Sequence, residues 1–126
     1  MSHILQLTTL GDTVPLQNHI CMGSMTRNCC VNGNKPTQSS TDHYAKCACD
    51  SVSLIVVEGT FVYLNGGEWP HALVMFDHSH VEVWKKVTDT VHCEGGKIIF
   101  QMWHPSSTCP EQGIEINAES TRLYPE

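Results

Sequence analysis

Basic side chains are scarce: Lys and Arg total 7 against 13 Asp and Glu, for a net charge of −6. A nucleic-acid binder needs a basic face to neutralise phosphates, so this balance argues against nucleic acid as a partner. Long apolar runs are also missing. No stretch approaches the roughly 18 residues of a membrane span, which argues against a membrane partner. The start, Met1-Ser2-His3-Ile4-Leu5-Gln6, has no basic region ahead of an apolar core. A secretory signal is therefore not expected, and cytoplasmic is the default location. There is no Cys-x-x-Cys pair. The seven cysteines are Cys21, Cys29, Cys30, Cys47, Cys49, Cys93 and Cys109. An odd number without a signal peptide speaks against a disulfide framework. Cys29-Cys30, Cys47-Ala48-Cys49 and His78-Ser79-His80 lack the spacings of zinc knuckles, so reduced thiols and no metal are expected.

What is present is an ordinary globular composition: 126 residues, 40% hydrophobic and 16% charged, enough for one domain or part of one. Ile4-Leu5-Gln6-Leu7 and Val14-Pro15-Leu16 flank a turn at Gly11-Asp12 and read as a hairpin. The hairpin is expected to cover one end of the sheet rather than join it, since Pro15 suits an edge. Ile20-Cys21-Met22-Gly23-Ser24-Met25 is a short buried-strand run ending in Thr26-Arg27-Asn28. Breakers fill 31–40, and Thr41 to Ala48 reads as a helix capped by Ser40 or Thr41. Leu54-Ile55-Val56-Val57 is β-branched enough for a strand buried on both faces, with Glu58-Gly59-Thr60 at its end. Residues 63–72 read as a loop. Val81 to His92 has helical periodicity stopped by Gly95-Gly96, and His78 and His80 at its start read as solvated. Lys97 to His104 is a buried strand with Gln101, Trp103 and His104 at its tip. Residues 105–126 read as mostly extended loop.

The order is hairpin, strand–helix, strand–helix, strand, with a polar tip on each of three strands. Such alternation predicts an α/β fold with a parallel sheet, sequence neighbours side by side and the tips on one face. In α/β barrels that face is where ligands bind.

Three phrases at those tips carry a resemblance: Met22-Gly23-Ser24-Met25-Thr26-Arg27, Glu58-Gly59-Thr60 and Gln101-Met102-Trp103-His104, together with Trp84-Lys85-Lys86-Val87-Thr88-Asp89 and His92. They resemble the Old Yellow Enzyme family, the FMN-dependent ene-reductases, from about residue 4 to residue 104. The resemblance implies that 1–126 is the N-terminal portion of an FMN-binding (β/α)8 TIM barrel. It implies FMN as cofactor, with NAD(P)H as reductant, and reduction of the activated C=C bond of a small enone-type substrate. Met25 and Thr26 would then lie along the flavin, and Gly59 would let backbone approach the ring. Gln101 would bind the pyrimidine edge, and Trp103 would wall the substrate pocket. Each position also has a plain reading. Thr26 can cap a turn, Gly59 can permit a tight loop, Gln101 can join a polar network, Trp103 can simply pack, and Met22 and Met25 can fill core.

A full barrel takes about 250 residues. The resemblance implies that the His/Asn substrate anchor, the proton-donating tyrosine and the phosphate-binding arginines lie further along than residue 126. No catalytic residue is assigned, and the chain alone is expected to be inactive, a truncated reductase. The other reading is a degenerate, non-catalytic paralogue or interaction module without flavin. Departures from the family phrase favour drift: Ser24 for proline, His19, Cys29 and Cys47 for arginines, and Ser53 for glycine. Three strands of an open barrel also leave edges free, so self-association is expected.

Overall fold

Two helices carry the strongest periodicity, and each buries one stripe. The structure, a computed structural model, describes residues 2–31, 33–62 and 70–104. Helix α1 spans Gln38–Cys49 and buries Ser40, Tyr44 and Ala48, spaced one turn apart. It starts at Gln38 rather than Thr41 because Thr37, just past Pro36, takes the cap. The Thr37 amide donates to Ser40 Oγ at 3.3 Å. Helix α2 spans His78–Cys93 and buries His80, Trp84, Val87 and Val91. Gly95, at φ +81°, ends it in the left-handed turn the Gly-Gly pair predicts.

The start of α2 corrects one expectation. His78 is exposed, but His80 is only 2% exposed. Its Nδ1 lies 2.8 Å from Asp77 Oδ1 and its Nε2 lies 3.1 Å from the Gly33 carbonyl oxygen. The ring thus ties the turn at 33–35 to the helix start. Asp77 caps α2 by accepting from the His80 amide at 3.1 Å. Hydrogen bonds from Ser79 and then His80 hold its carboxyl well below the usual carboxylate range. A depressed folded-state value means stability that is present above about pH 4 and lost as pH falls further. Asp77→Asn is therefore expected to lose less melting temperature than the parent chain between about pH 5 and about pH 3. Equal losses in the two proteins would remove Asp77 from the acid-labile set.

The hairpin pairs β1 (Thr8–Leu10) with β2 (Val14–Leu16), antiparallel, around Gly11. Its first arm begins later than expected. His3–Leu5 forms a short 3-10 turn, and Ile4, Leu5 and Leu7 stand exposed because their spacing gives no buried face. The main sheet runs β3 (Cys21–Met22), β4 (Leu54–Val56), β6 (Lys97–Ile99), all parallel and in sequence order, as the alternation predicts. Beyond its break, β5 (Thr60–Phe61) pairs in parallel with β7 (Met102–Trp103). The third strand is thus interrupted at Phe100-Gln101, and the first pairs over two residues only.

The core gathers Tyr44, Ala48, Ile55, Val57, Leu73, Trp84, Val87 and Val91 between the helices and one face of the sheet. Ile98 packs on that side. Ile99 points to the other face and is 44% exposed, so β6 is not buried on both faces, whereas β4 keeps Leu54 buried on that second face at 7%. The hairpin stays out of the main sheet. The segment following it docks at the strands' N-terminal ends. Gln17 Nε2 donates to the Gly95 carbonyl at 3.3 Å, and Asn18 Nδ2 to the Ser51 carbonyl at 2.8 Å. Ser53, read as a drifted glycine, accepts from the Asn18 amide through its Oγ at 3.3 Å. Most of the 63–72 loop and all of 105–126 fall outside the described residues.

Candidate functional site

Parallel strands in sequence order place their C-terminal ends together, and the polar tips do converge. A cleft of ≈ 310 Å³ is lined by Ser24, Thr26, Gly59, Gln101, Met102 and Trp103. Thr26, Gly59, Gln101 and Trp103 were each expected at a site, and one cleft holds all four. Met25 is not among the lining residues. Its side chain is 66% exposed, so it fills neither cleft nor core.

Gly59 is buried, and a Cβ built on it would lie 2.8 Å from Trp103 Cε3 and 3.4 Å from Gln101 Oε1. The close backbone approach expected there is thus made to the Trp103 ring. That ring stacks on Phe61 at 4.9 Å between centroids, and Phe61 is buried with Ala72 and Val74. Gln101 is anchored by its backbone, whose carbonyl accepts from the Thr60 amide at 3.0 Å. Its side chain is exposed and meets Ser24, whose hydroxyl donates to Gln101 Oε1 at 2.5 Å. Ser24 is therefore a cleft residue that sequence reasoning treated only as a departure. Proline at that position cannot make this bond. Ser24→Pro is expected to release the Gln101 side chain, seen as narrowed dispersion of its side-chain NH₂ signals in NMR. An unchanged pair of signals would count against the contact.

Glu58 was also missed. It sits at the end of the second strand, is 2% exposed, and accepts from the Arg27 amide through Oε2 at 2.8 Å. Thr60, read as polar tip, is fully buried and bonds through its hydroxyl to the Glu58 carbonyl at 2.9 Å. Behind this cluster Cys30 is 2% exposed, and burial, then the Glu58 charge, push its thiol up to about 12. Its neighbour Cys29 is exposed. The thiolate is the nucleophile, so a thiol reagent near pH 8 is expected to modify Cys29 and spare Cys30. Peptide mapping checks this, and equal labelling of both would contradict the burial.

Chemically, the cleft offers two hydroxyls, a primary amide and an indole face beside closely packed backbone. That set suits a flat heteroaromatic ring with a polar edge. Among the described residues, no lysine or arginine lines it.

Comparison with known proteins bears on the family and the fold. A probable flavin mononucleotide-dependent alkene reductase of Leishmania infantum is 34% identical over 110 residues, 84% of this chain and 30% of that protein. The 12-oxophytodienoate reductase 7 of rice is 33% identical over 89 residues, covering 71% of this chain and 22% of that one. Among solved structures, the old yellow enzyme homologue of Zymomonas mobilis superposes with a TM-score of 0.74 at 31% identity, over 82% of this chain and 28% of that one. The chain thus spans less than a third of each of these relatives. Its parallel strands and helices are those of the N-terminal part of a (β/α)8 barrel. Residues 6–122 match the family profile, a span that includes every residue lining the cleft, and the chain belongs to the NADH:flavin oxidoreductase / NADH oxidase family.

Proposed function

We propose that the cleft at the strand tips receives the ring system of FMN, and that these residues form the flavin-facing wall of an Old Yellow Enzyme-type reductase of activated C=C bonds. The observation that carries the reading is the convergence of Thr26, Gly59, Gln101 and Trp103 on one cleft. In this reading the Thr26 hydroxyl and the Gln101 amide bind the polar edge of the ring. Gly59 keeps the wall thin, and Trp103 bounds the space left for a small enone-type substrate. Hydride transfer, with NAD(P)H as reductant, belongs to the bound flavin, and this chain's residues supply binding and orientation. A cytoplasmic setting fits, with no helix among the described residues long and apolar enough to cross a membrane.

The 126 residues alone make a weak site in this reading. Ligand pockets surround most of the ligand, and three strands build one wall. Among the described residues, no lysine or arginine in the lining meets the phosphate, and a net charge of −6 repels it. Two neutral hydrogen bonds give on the order of 1 kcal/mol each, less than association costs. The expected Kd for FMN is about 0.1 mM or weaker, roughly −5.5 kcal/mol. Reduction of a simple enone above the rate with free FMN is not expected. Fluorescence titration of FMN is the test. Quenching that weakens further in Thr26→Ala and Gln101→Ala supports the reading. Micromolar quenching that survives both overturns it.

Self-association is the accompanying proposal. β3 and β6 each lack a partner on their outer side among the described residues. Ile99 and Met102 stand 44% and 74% exposed. Such edges and apolar faces template pairing. Sedimentation velocity is expected to show mass rising with concentration, and a strict monomer across the range would refute it.

A further inference from the structure

We propose that Glu58 and Tyr44 form a positioning pair that holds the two backbone segments of the cleft in register, an inference that rests on the flavin reading and deepens it. Neither side chain lines the cleft. Glu58 is 2% exposed and Tyr44, on α1, is 1% exposed. A buried carboxylate is costly unless donors meet it, and this one has two. The Arg27 amide donates to Oε2 at 2.8 Å, and the Tyr44 hydroxyl donates to Oε1 at 3.3 Å. The Tyr44 oxygen in turn accepts from the Glu58 amide at 3.2 Å.

The two segments so clamped are the ones that matter to the cleft. The Arg27 amide is half of the planar peptide linking Thr26 to Arg27, so fixing it orients the Thr26 carbonyl. The Glu58 amide lies one residue before Gly59, so fixing it sets the approach of the Gly59 backbone to Trp103. One carboxylate and one phenol therefore set both walls. Burial pushes the Tyr44 phenol up, so it stays protonated as a donor. A charge-assisted bond to a backbone amide is among the stronger ones available.

A merely structural pair would loosen the whole chain on removal, whereas a positioning pair loosens the cleft first. The test follows amide exchange and FMN-induced amide shifts by NMR on the 126-residue chain. In Glu58→Ala, the Arg27 amide is expected to exchange about tenfold faster relative to Val91 in the core of α2. Shifts of Thr26 and Gly59 on adding FMN are expected to fall, and Glu58→Gln, which keeps an acceptor, is expected to recover part of both. If Glu58→Ala does not fold, Tyr44→Phe carries the test through the exchange of the Glu58 amide. Arg27 and Val91 accelerating together, or Arg27 unchanged, overturns the pair. If FMN moves no cleft amide in the parent chain, the flavin reading falls and the pair's role falls with it. If FMN moves those amides equally in parent and Glu58→Ala, the pair alone falls.

Discussion

Ile55→Ala is expected to leave little or no cooperatively folded protein at room temperature. Ile55 is fully buried in β4, the middle strand, with β3 on one side and β6 on the other. Its partners across the ladder are Met22 and Ile98, and both pack on the same core. Removing its side chain beyond Cβ costs the transfer energy and leaves a cavity, about 2–5 kcal/mol in total. Whole domains hold only about 5–15 kcal/mol, and small ones sit at the low end. Among the described residues this sheet carries helices on one face only, so its reserve is small. Urea titration followed by circular dichroism checks the outcome. Ile55→Val should keep a cooperative transition, losing about 0.5–1.5 kcal/mol. Ile99→Ala, at a 44% exposed position, should lose less than Ile55→Ala. If the alanine variants at 55 and 99 melt alike, the middle strand is not the centre of the fold.

The contrast between Ile55 and Ile99 also shows what was legible in the sequence. Both lie in apolar runs that read as buried strands, the run at Ile55 as one buried on two faces. A run signals that a strand exists and is parallel, and the alternation of strand and helix signals the order. It does not signal whether a second face is covered, because that depends on elements elsewhere. The convergence of Thr26, Gly59 and Gln101 was legible for a topological reason: parallel strands with helical crossovers bring their C-terminal ends to one side. Ser24 meeting Gln101 was not, since 77 positions separate them and a serine in a strand tip carries no periodic signal.

Buried polar residues were the systematic loss. Glu58 and His80 belong to types that are seldom fully buried unless paired, so His80 reads as solvated and Glu58 only as part of a polar strand tip. What buries them is a set of partners from distant segments: Arg27 and Tyr44 for one, Gly33 for the other. The helix starts failed for a related reason. Thr37 and Asp77 are the caps, yet each is followed by polar residues that hide where the apolar stripe begins. Ser40 and His80 lie on the buried stripes, and counting them as buried moves both helix starts to their observed places.

Gly59→Ala is expected to disrupt the cleft and the aromatic stack beneath it, while Gly23→Ala changes neither. A single methyl group at residue 59 would stand 2.8 Å from Trp103 Cε3, nearer than carbon atoms pack. The ring cannot simply swing away without leaving Phe61, on which it stacks at 4.9 Å. Nor can the backbone retreat freely, since Glu58 before it and Thr60 after it are both buried and hydrogen-bonded. Overpacking of this kind costs about 1–3 kcal/mol, and in a chain this size each kcal/mol lowers the melting temperature by roughly 4 °C. At Gly23 the same methyl would meet nothing within 4 Å. The expected result is a lower melting temperature, a changed near-ultraviolet aromatic signal and loss of FMN quenching for Gly59→Ala alone. Gly59→Ala melting and quenching like Gly23→Ala would mean that the backbone at residue 59 has room to spare, and that the flavin wall is not built from its closeness to Trp103.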